Sequence, residues 1–177
     1  AEVRPQVSGI LQKRLFEEGG DVEAGDVLYQ IDPAMYEAAH SGAKATLARA
    51  EANLKAIRLR AERYKELVAI KAVSVQDYDD ITAALQQAEA EVEAGKAAVE
   101  SARLNLAYTR IAAPISGRIG RSSVTIGALA TAYQPVPFTT IQQLDPVYVD
   151  APQSSANLLR LKERIASGNL KSDGLSQ

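Results

Sequence analysis

Between Pro33 and Ala107 the apolar residues recur at alternating intervals of four and three. The series Ala43, Leu47, Ala50, Leu54, Ile57, Ala61, Tyr64 and Val68 runs through the first half of this stretch, and Tyr78, Ile81, Leu85, Ala88, Val92, Gly95, Val99, Ala102 and Leu106 through the second. That is the period of a coiled-coil seam. Two narrow apolar stripes with a short connection can cover each other only by folding back, so the pattern predicts an antiparallel helical hairpin over 34–108, with its tip at about 70–75. Ser74, with Asp77 three residues on, reads as the N-cap of the second helix. Asp77, Asp79 and Asp80 then fall where the helix dipole favours anions, and Lys65 and Lys71 near the end of the first helix, where it favours cations. Arms of roughly 33 to 38 residues reach about 50 to 57 Å at 1.5 Å per residue. Charges on the other faces, such as Glu51 and Lys55 one turn apart, read as solvated.

The flanks alternate differently. Ala1 to Asp32 and Ile111 to Asp145 are rich in Val, Ile, Gly and Pro at spacings typical of short strands and tight turns. They also echo each other: Val7-Ser8-Gly9 after Pro5 by Ile115-Ser116-Gly117 after Pro114, Val22 and Gly25 by Val124 and Gly127, and Leu28 and Ile31 by Leu129 and Ile141. The two flanks are thus expected to be halves of one β module, 1–33 and 109–145, split by the hairpin that enters at Pro33. Each half is too small to bury a core alone. Beyond it, 146–177 is expected to begin a further domain, with a strand at Pro146 to Asp150 and a short amphipathic helix at about 154–166 carrying Leu158, Leu159, Leu161 and Ile165, ended by Gly168.

Composition narrows the function. The 177 residues are 46% apolar and 24% charged, with 20 Lys and Arg against 22 Asp and Glu, which leaves no basic footprint for nucleic acid. Aromatics are only 5%, so the apolar content comes from Ala, Leu, Val and Ile. No Cys is present, which excludes disulfides and thiolate chemistry. No apolar run is long enough to span a bilayer and no signal peptide stands at Ala1. With no initiator Met either, the chain reads as a processed or excised piece.

Several ordered blocks carry a family resemblance. Arg4-Pro5-Gln6-Val7-Ser8-Gly9-Ile10, Glu18-Gly19, Val22-Glu23-Ala24-Gly25 and Leu28-Tyr29-Gln30-Ile31-Asp32 resemble a lipoyl half-motif. Tyr108-Thr109, Ala113-Pro114-Ile115-Ser116-Gly117-Arg118-Ile119-Gly120, Val124-Thr125, Gly127-Ala128-Leu129 and Gln143-Leu144-Asp145-Pro146-Val147-Tyr148-Val149 resemble the periplasmic adaptors, or membrane fusion proteins, of RND-type tripartite multidrug efflux pumps. The resemblance covers nearly the whole chain. It implies an α+β fold: an antiparallel coiled-coil hairpin inserted into a split lipoyl-like β-sandwich, followed by an incomplete β-barrel domain. It further implies a non-catalytic periplasmic subunit, its parent anchored to the inner membrane, bridging an inner-membrane RND transporter and a TolC-like outer-membrane channel and self-associating as a trimeric or hexameric ring. Adaptors of this family that dock on such channels carry Arg, Leu and Ser around the tip with three and then six residues between them. Arg63, Leu67 and Ser74 have that spacing, and none lies on the seam.

Other sites find little support in the residues. A lipoyl or biotinyl carrier needs a Lys in the turn where this chain inserts its hairpin, and Lys44 and Lys71 read as helix-surface residues. His40, the only His, extends the first seam without ligand partners. Asp77, Asp79 and Asp80 turn to different faces of a helix, so no metal and no cofactor is expected. No nucleophile constellation is recognisable, so no catalytic residues are expected. The remaining alternatives are an adaptor for an ATP-driven exporter or type I secretion system, a lipoyl or biotinyl carrier, and a plain coiled-coil scaffold.

Overall fold

A computed structural model describes residues 1–144 and 155–167. The chain divides into two units, Ala1–Leu144 and Asp145–Gln177. In the first, four short strands, β1 (Glu2–Val3), β2 (Gly9–Arg14), β3 (Asp21–Val22) and β4 (Val27–Ile31), precede two long helices, α1 (Ala34–Ala69) and α2 (Val75–Ala107). Four more strands follow: β5 (Arg110–Ala112), β6 (Gly117–Ile119), β7 (Leu129–Ala130) and β8 (Thr139–Gln142). The second unit contains α3 (Ser155–Ala166), close to the expected helix, on which Leu159 and Ile165 are exposed. The expected strand at Pro146–Asp150 and the stop at Gly168 lie outside the described residues.

The eight strands form two antiparallel four-stranded sheets, in the orders β1-β8-β6-β3 and β5-β4-β2-β7. Each sheet takes two strands from before the helices and two from after them. Neither half can close a sheet by itself, and the buried side chains come from both: Val3, Leu11 and Ile31 with Ile119, Phe138 and Ile141. Tyr29 lies between Phe16 and Phe138, edge-on to both at 5.2 and 5.1 Å between ring centres. Its hydroxyl meets Ser122 Oγ at 2.8 Å, and burial raises its pKa above the ordinary phenol value.

The sheet orders reveal an internal two-fold. Exchanging β1 with β5, β2 with β6, β3 with β7 and β4 with β8 turns one order into the other. Hydrogen bonds obey the same exchange: Gly19 N–H donates to Ile119 O at 2.9 Å as Gly127 N–H does to Leu11 O at 2.8 Å. Ala24 N–H donates to Ser116 Oγ as Ala132 N–H does to Ser8 Oγ, both at 2.9 Å. This corrects part of the repeat read from sequence. Gly9 with Gly117 and Ile31 with Ile141 hold, but Gly127 corresponds to Gly19, not Gly25, and Val22 corresponds to Ala130, not Val124. Each half has two tight turns, and the second turn of the second half hides its signal. Where Gly25 has φ +98°, its equivalent is Tyr133, at φ +55°. One close approach also demands glycine: a Cβ on Gly117 would fall on the Gln142 carbonyl, 2.9 Å from its carbon.

The helices have the expected seam. Every seam residue of α1 and α2 is buried or half-buried, while the residues between are mostly exposed. Gly95 lets the helices come close there: a Cβ would stand 3.1 Å from Leu47 Cδ1, and the leucine would have to give way slightly. Asp32 Oδ1 accepts the Ala34 N–H at 3.0 Å, capping α1 from just before Pro33. β4 and β5 are antiparallel neighbours with Gln30 opposite Arg110, so the hairpin is an enlarged loop between adjacent strands and its two legs leave side by side.

The left-handed backbone at Tyr133 costs roughly 1 kcal/mol for a residue with a Cβ, and its side chain is 76% exposed. Tyr133→Gly is therefore expected to stabilise the β module by about 0.5–1 kcal/mol, less the larger entropy of glycine in the unfolded chain. Urea unfolding monitored on the β module checks this; a loss of stability would contradict it.

A candidate docking site at the hairpin tip

At 36 and 33 residues, α1 and α2 extend about 54 and 50 Å from the sheets. What ends α1 is a pair of backbone bonds: Lys71 N–H donates to Val68 O at 3.0 Å and Ala72 N–H to Leu67 O at 2.9 Å. This is the Schellman arrangement, with Lys71 in the left-handed position at φ +57°, where glycine is usual. Lys71 therefore belongs to the turn rather than the helix surface, and no basic residue occupies the last turn of α1. Both corrections have one cause: the helix stops at Ala69, before the cation that the dipole argument had placed on it.

The chain re-enters helix at Ser74. Its Oγ accepts the Asp77 N–H at 3.0 Å and donates to Asp77 Oδ2 at 2.6 Å, while Ser74 N–H reaches the same oxygen at 3.3 Å. The capping box is complete, with Asp serving where Glu or Gln is usual. Five residues thus connect two helices, with two carbonyls at the end of α1 and the Ser74 and Asp77 N–H groups at the start of α2 satisfied within the turn, which is held by its own hydrogen bonds.

Arg63, Leu67 and Ser74 are all exposed. Arg63 and Leu67 are one helical turn apart on the same face, and the bond from Ala72 to the Leu67 carbonyl folds the turn back over Leu67. Arg63 forms no hydrogen bond or ion pair among the described residues. The Ser74 hydroxyl proton is committed to Asp77, so toward a partner this oxygen is an acceptor. Two further residues were missed in the sequence: Ile70 is 74% exposed and Val75 67% exposed, beside Leu67 at 36%. The signal was available, since both are apolar residues off the seam next to the turn. Together the three make the end of the rod apolar, flanked by charges.

Elsewhere, His40 is half-buried on the extended seam. Lys44 is an exposed residue of α1. Among the described residues no group of His, Asp or Glu could hold a metal ion, and no helix is long and apolar enough to cross a membrane.

Ser74→Ala is expected to cost about 1 kcal/mol through loss of the cap, and Ser74→Asn to retain most of it. Thermal unfolding followed by helical circular dichroism distinguishes them; equal stability of Ser74→Ala and the unaltered chain would show that the cap contributes nothing.

Comparison with known proteins adds what geometry alone does not. Residues 1–142 match the family model described as "RND MFP, barrel-sandwich hybrid domain". The chain is 55% identical over 173 residues to the multidrug efflux pump subunit AcrA of Escherichia coli K12, covering 98% of this chain and 44% of that protein. It is 55% identical over 174 residues to the multidrug resistance protein MexA of Pseudomonas aeruginosa, covering 98% and 42%. A crystal structure of a MacA-MexA chimeric protein containing the MexA α-hairpin domain matches with a TM-score of 0.56 at 38% identity, over 81% of this chain and 47% of the chimera. The chain thus spans less than half the length of the curated relatives it matches. Two interleaved half-modules, a coiled-coil hairpin inserted between them and this degree of identity place the chain in the periplasmic adaptor, or membrane fusion protein, family of RND efflux pumps.

Proposed function

We propose that this chain is the bridging part of a non-catalytic periplasmic adaptor, joining an inner-membrane RND-type transporter to a TolC-like outer-membrane channel in multidrug efflux. The observation that carries the reading is the tip: Leu67, Ile70 and Val75 stand exposed at the far end of a rod about 50 Å long. An apolar cluster at the end of a rigid arm is suited to contact at a distance from the β module. The names of the relatives, an efflux pump subunit and a multidrug resistance protein, support the pump context. In this reading Leu67 supplies apolar contact, Arg63 a fork of donors for a carboxylate or carbonyl, and Ser74 an acceptor oxygen on a fixed turn. The unit from Asp145 onward begins the barrel domain, the parent protein is anchored to the inner membrane, and copies assemble as a ring. Ring assembly lets weak contacts at each tip add through multivalency.

Fully burying a leucine contributes about 1.5–3 kcal/mol. Leu67, 36% exposed, has roughly a third of that left to gain. The larger loss in an Asp variant comes from placing an unpaired charge in an apolar contact, each 1.4 kcal/mol being tenfold in affinity. Leu67→Asp is therefore expected to lower capture of the outer-membrane channel at least tenfold, and drug resistance with it, at unchanged protein level and helix content. Ser74→Asn, which keeps the cap, reports on the hydroxyl separately. Undiminished capture and resistance in Leu67→Asp would refute the docking role.

A further inference from the structure

Among the described residues two that carry a Cβ adopt left-handed backbone, and one of them stands at the tip: Lys71, at φ +57°. It fills the position of the Schellman turn where glycine is usual and asparagine the common substitute. A lysine there strains the backbone, and strain kept at one exposed point of a turn that its own hydrogen bonds already hold points to a use outside the turn. Lys71 is also the single charged residue among the five that connect the helices, Ile70 to Ser74. What the strained residue adds is a cation at the outermost end of the rod. That cation is not used within the chain. The side chain is exposed, and its ammonium forms no hydrogen bond or ion pair among the described residues. Asp77, the first carboxylate of α2, is already held by the Ser74 hydroxyl and N–H. The neighbours Ile70 and Val75 are apolar and exposed. A surface that covers them draws water away from the ammonium as well, and a charge left without a partner in such a contact is costly.

We infer that Lys71 selects the partner: its ammonium pairs with a carboxylate at the mouth of the outer-membrane channel, so that a channel presenting an acid opposite the turn is captured and one presenting a base is refused. This deepens the docking reading, on which it rests, by naming the group on the channel that the turn recognises. Leu67, Ile70 and Val75 offer contact that any apolar surface satisfies, whereas Lys71 adds a sign. Discrimination comes mainly from the mismatch, because two like charges brought together in a covered contact repel each other and both lose water. The stem of lysine is flexible and its ammonium has three rotatable donors, so the pair tolerates small differences in how the turn is seated. Arg63 does not duplicate this role, since it lies nearly two helical turns before the end of α1 and meets a different part of the partner. The competing use of the amine is attraction to the carbonyl end of α1. That use predicts a weaker hairpin when the charge is removed; selection, combined with the strain at φ +57°, predicts a hairpin that is as stable or more so.

A carbodiimide identifies the partner group, because it joins an amine to a carboxylate in contact with it as an amide, the displaced oxygen leaving in the urea formed from the reagent. Applied to cells producing the full-length protein together with a TolC-like channel, it is expected to give a crosslinked peptide joining Lys71 to an Asp or Glu of the channel. Lys71 joined instead to a second copy of this chain, or only to its own Glu66 or Asp77, overturns the inference. Variants test the selection. Lys71→Gly is expected to leave the thermal stability of the hairpin equal or higher, yet to lower channel capture severalfold at low salt and to flatten its decline as salt is raised. Lys71→Glu should lower capture further, and replacing the crosslinked channel carboxylate by Lys should restore capture to Lys71→Glu while abolishing it for the unaltered chain. Capture unchanged in both variants, or a loss that is equal in the two and follows a loss of hairpin stability, overturns the inference. Leu67→Asp measured in the same cells separates the two readings. Capture lost in Leu67→Asp but intact in both Lys71 variants defeats the selection alone; capture intact in Leu67→Asp defeats the docking role itself.

Discussion

The pairing of strands from the two ends of the chain is the constraint on which the rest depends. Among the described residues β1 has only β8 as a neighbour and β3 only β6, so strands before the hairpin are completed by strands after it. A two-residue strand has no stability of its own. Closure of the module therefore has to bring together segments separated by two long helices, a slow kind of contact to form unless the intervening chain folds first and brings its ends together. The hairpin does so, because its antiparallel legs return Ala107 to the side of Ala34. Local helix formation thus prepares the non-local sheet pairing.

The same closure fixes the base of the arm. Tyr36 OH donates to Ser8 O at 2.7 Å, tying α1 to the segment before β2. On the α2 side, buried Thr109 donates from Oγ1 to Leu106 O at 2.7 Å, and Ile31 N–H donates to Thr109 O at 2.8 Å. The arm is anchored at both legs to a closed module and sealed at its far end by a Schellman turn and a capping box. Between these fixed ends the seam is rich in alanine, and the helices approach closely at Gly95. Such an arm can present a few apolar side chains at a defined distance, which is the property a bridging subunit requires.

Much of this was legible in the sequence, and the reasons differ by element. The coiled coil was legible because a seam of period 3.5 has one geometric solution in a self-folding hairpin, and Ala43 through Leu106 are covered as the period requires. The Ser74 cap was legible because a side-chain oxygen three residues before an acid at a helix start has a single efficient use. The β repeat was only half legible. Gly9 with Gly117 is visible, but Tyr133 occupies a left-handed position that glycine fills in the other half, so the eye aligns the wrong turns. Lys71 misled for the same reason. A backbone conformation that glycine usually announces is adopted by residues that do not announce it, and the compensating bonds become visible only in three dimensions. At the tip, the family spacing pointed to Arg63, Leu67 and Ser74, whereas the larger exposed apolar area at Ile70 and Val75 follows from where the helix ends.

Native-state hydrogen exchange tests the central claim most directly. If the two flanks form one cooperative module, the amides of Ile31 and Leu11 must open with the same free energy as those of Ile119 and Ile141, and denaturant must shift all four together. Exchange from one flank at a much lower free energy, with the other still protected, would show two independent modules and contradict the account.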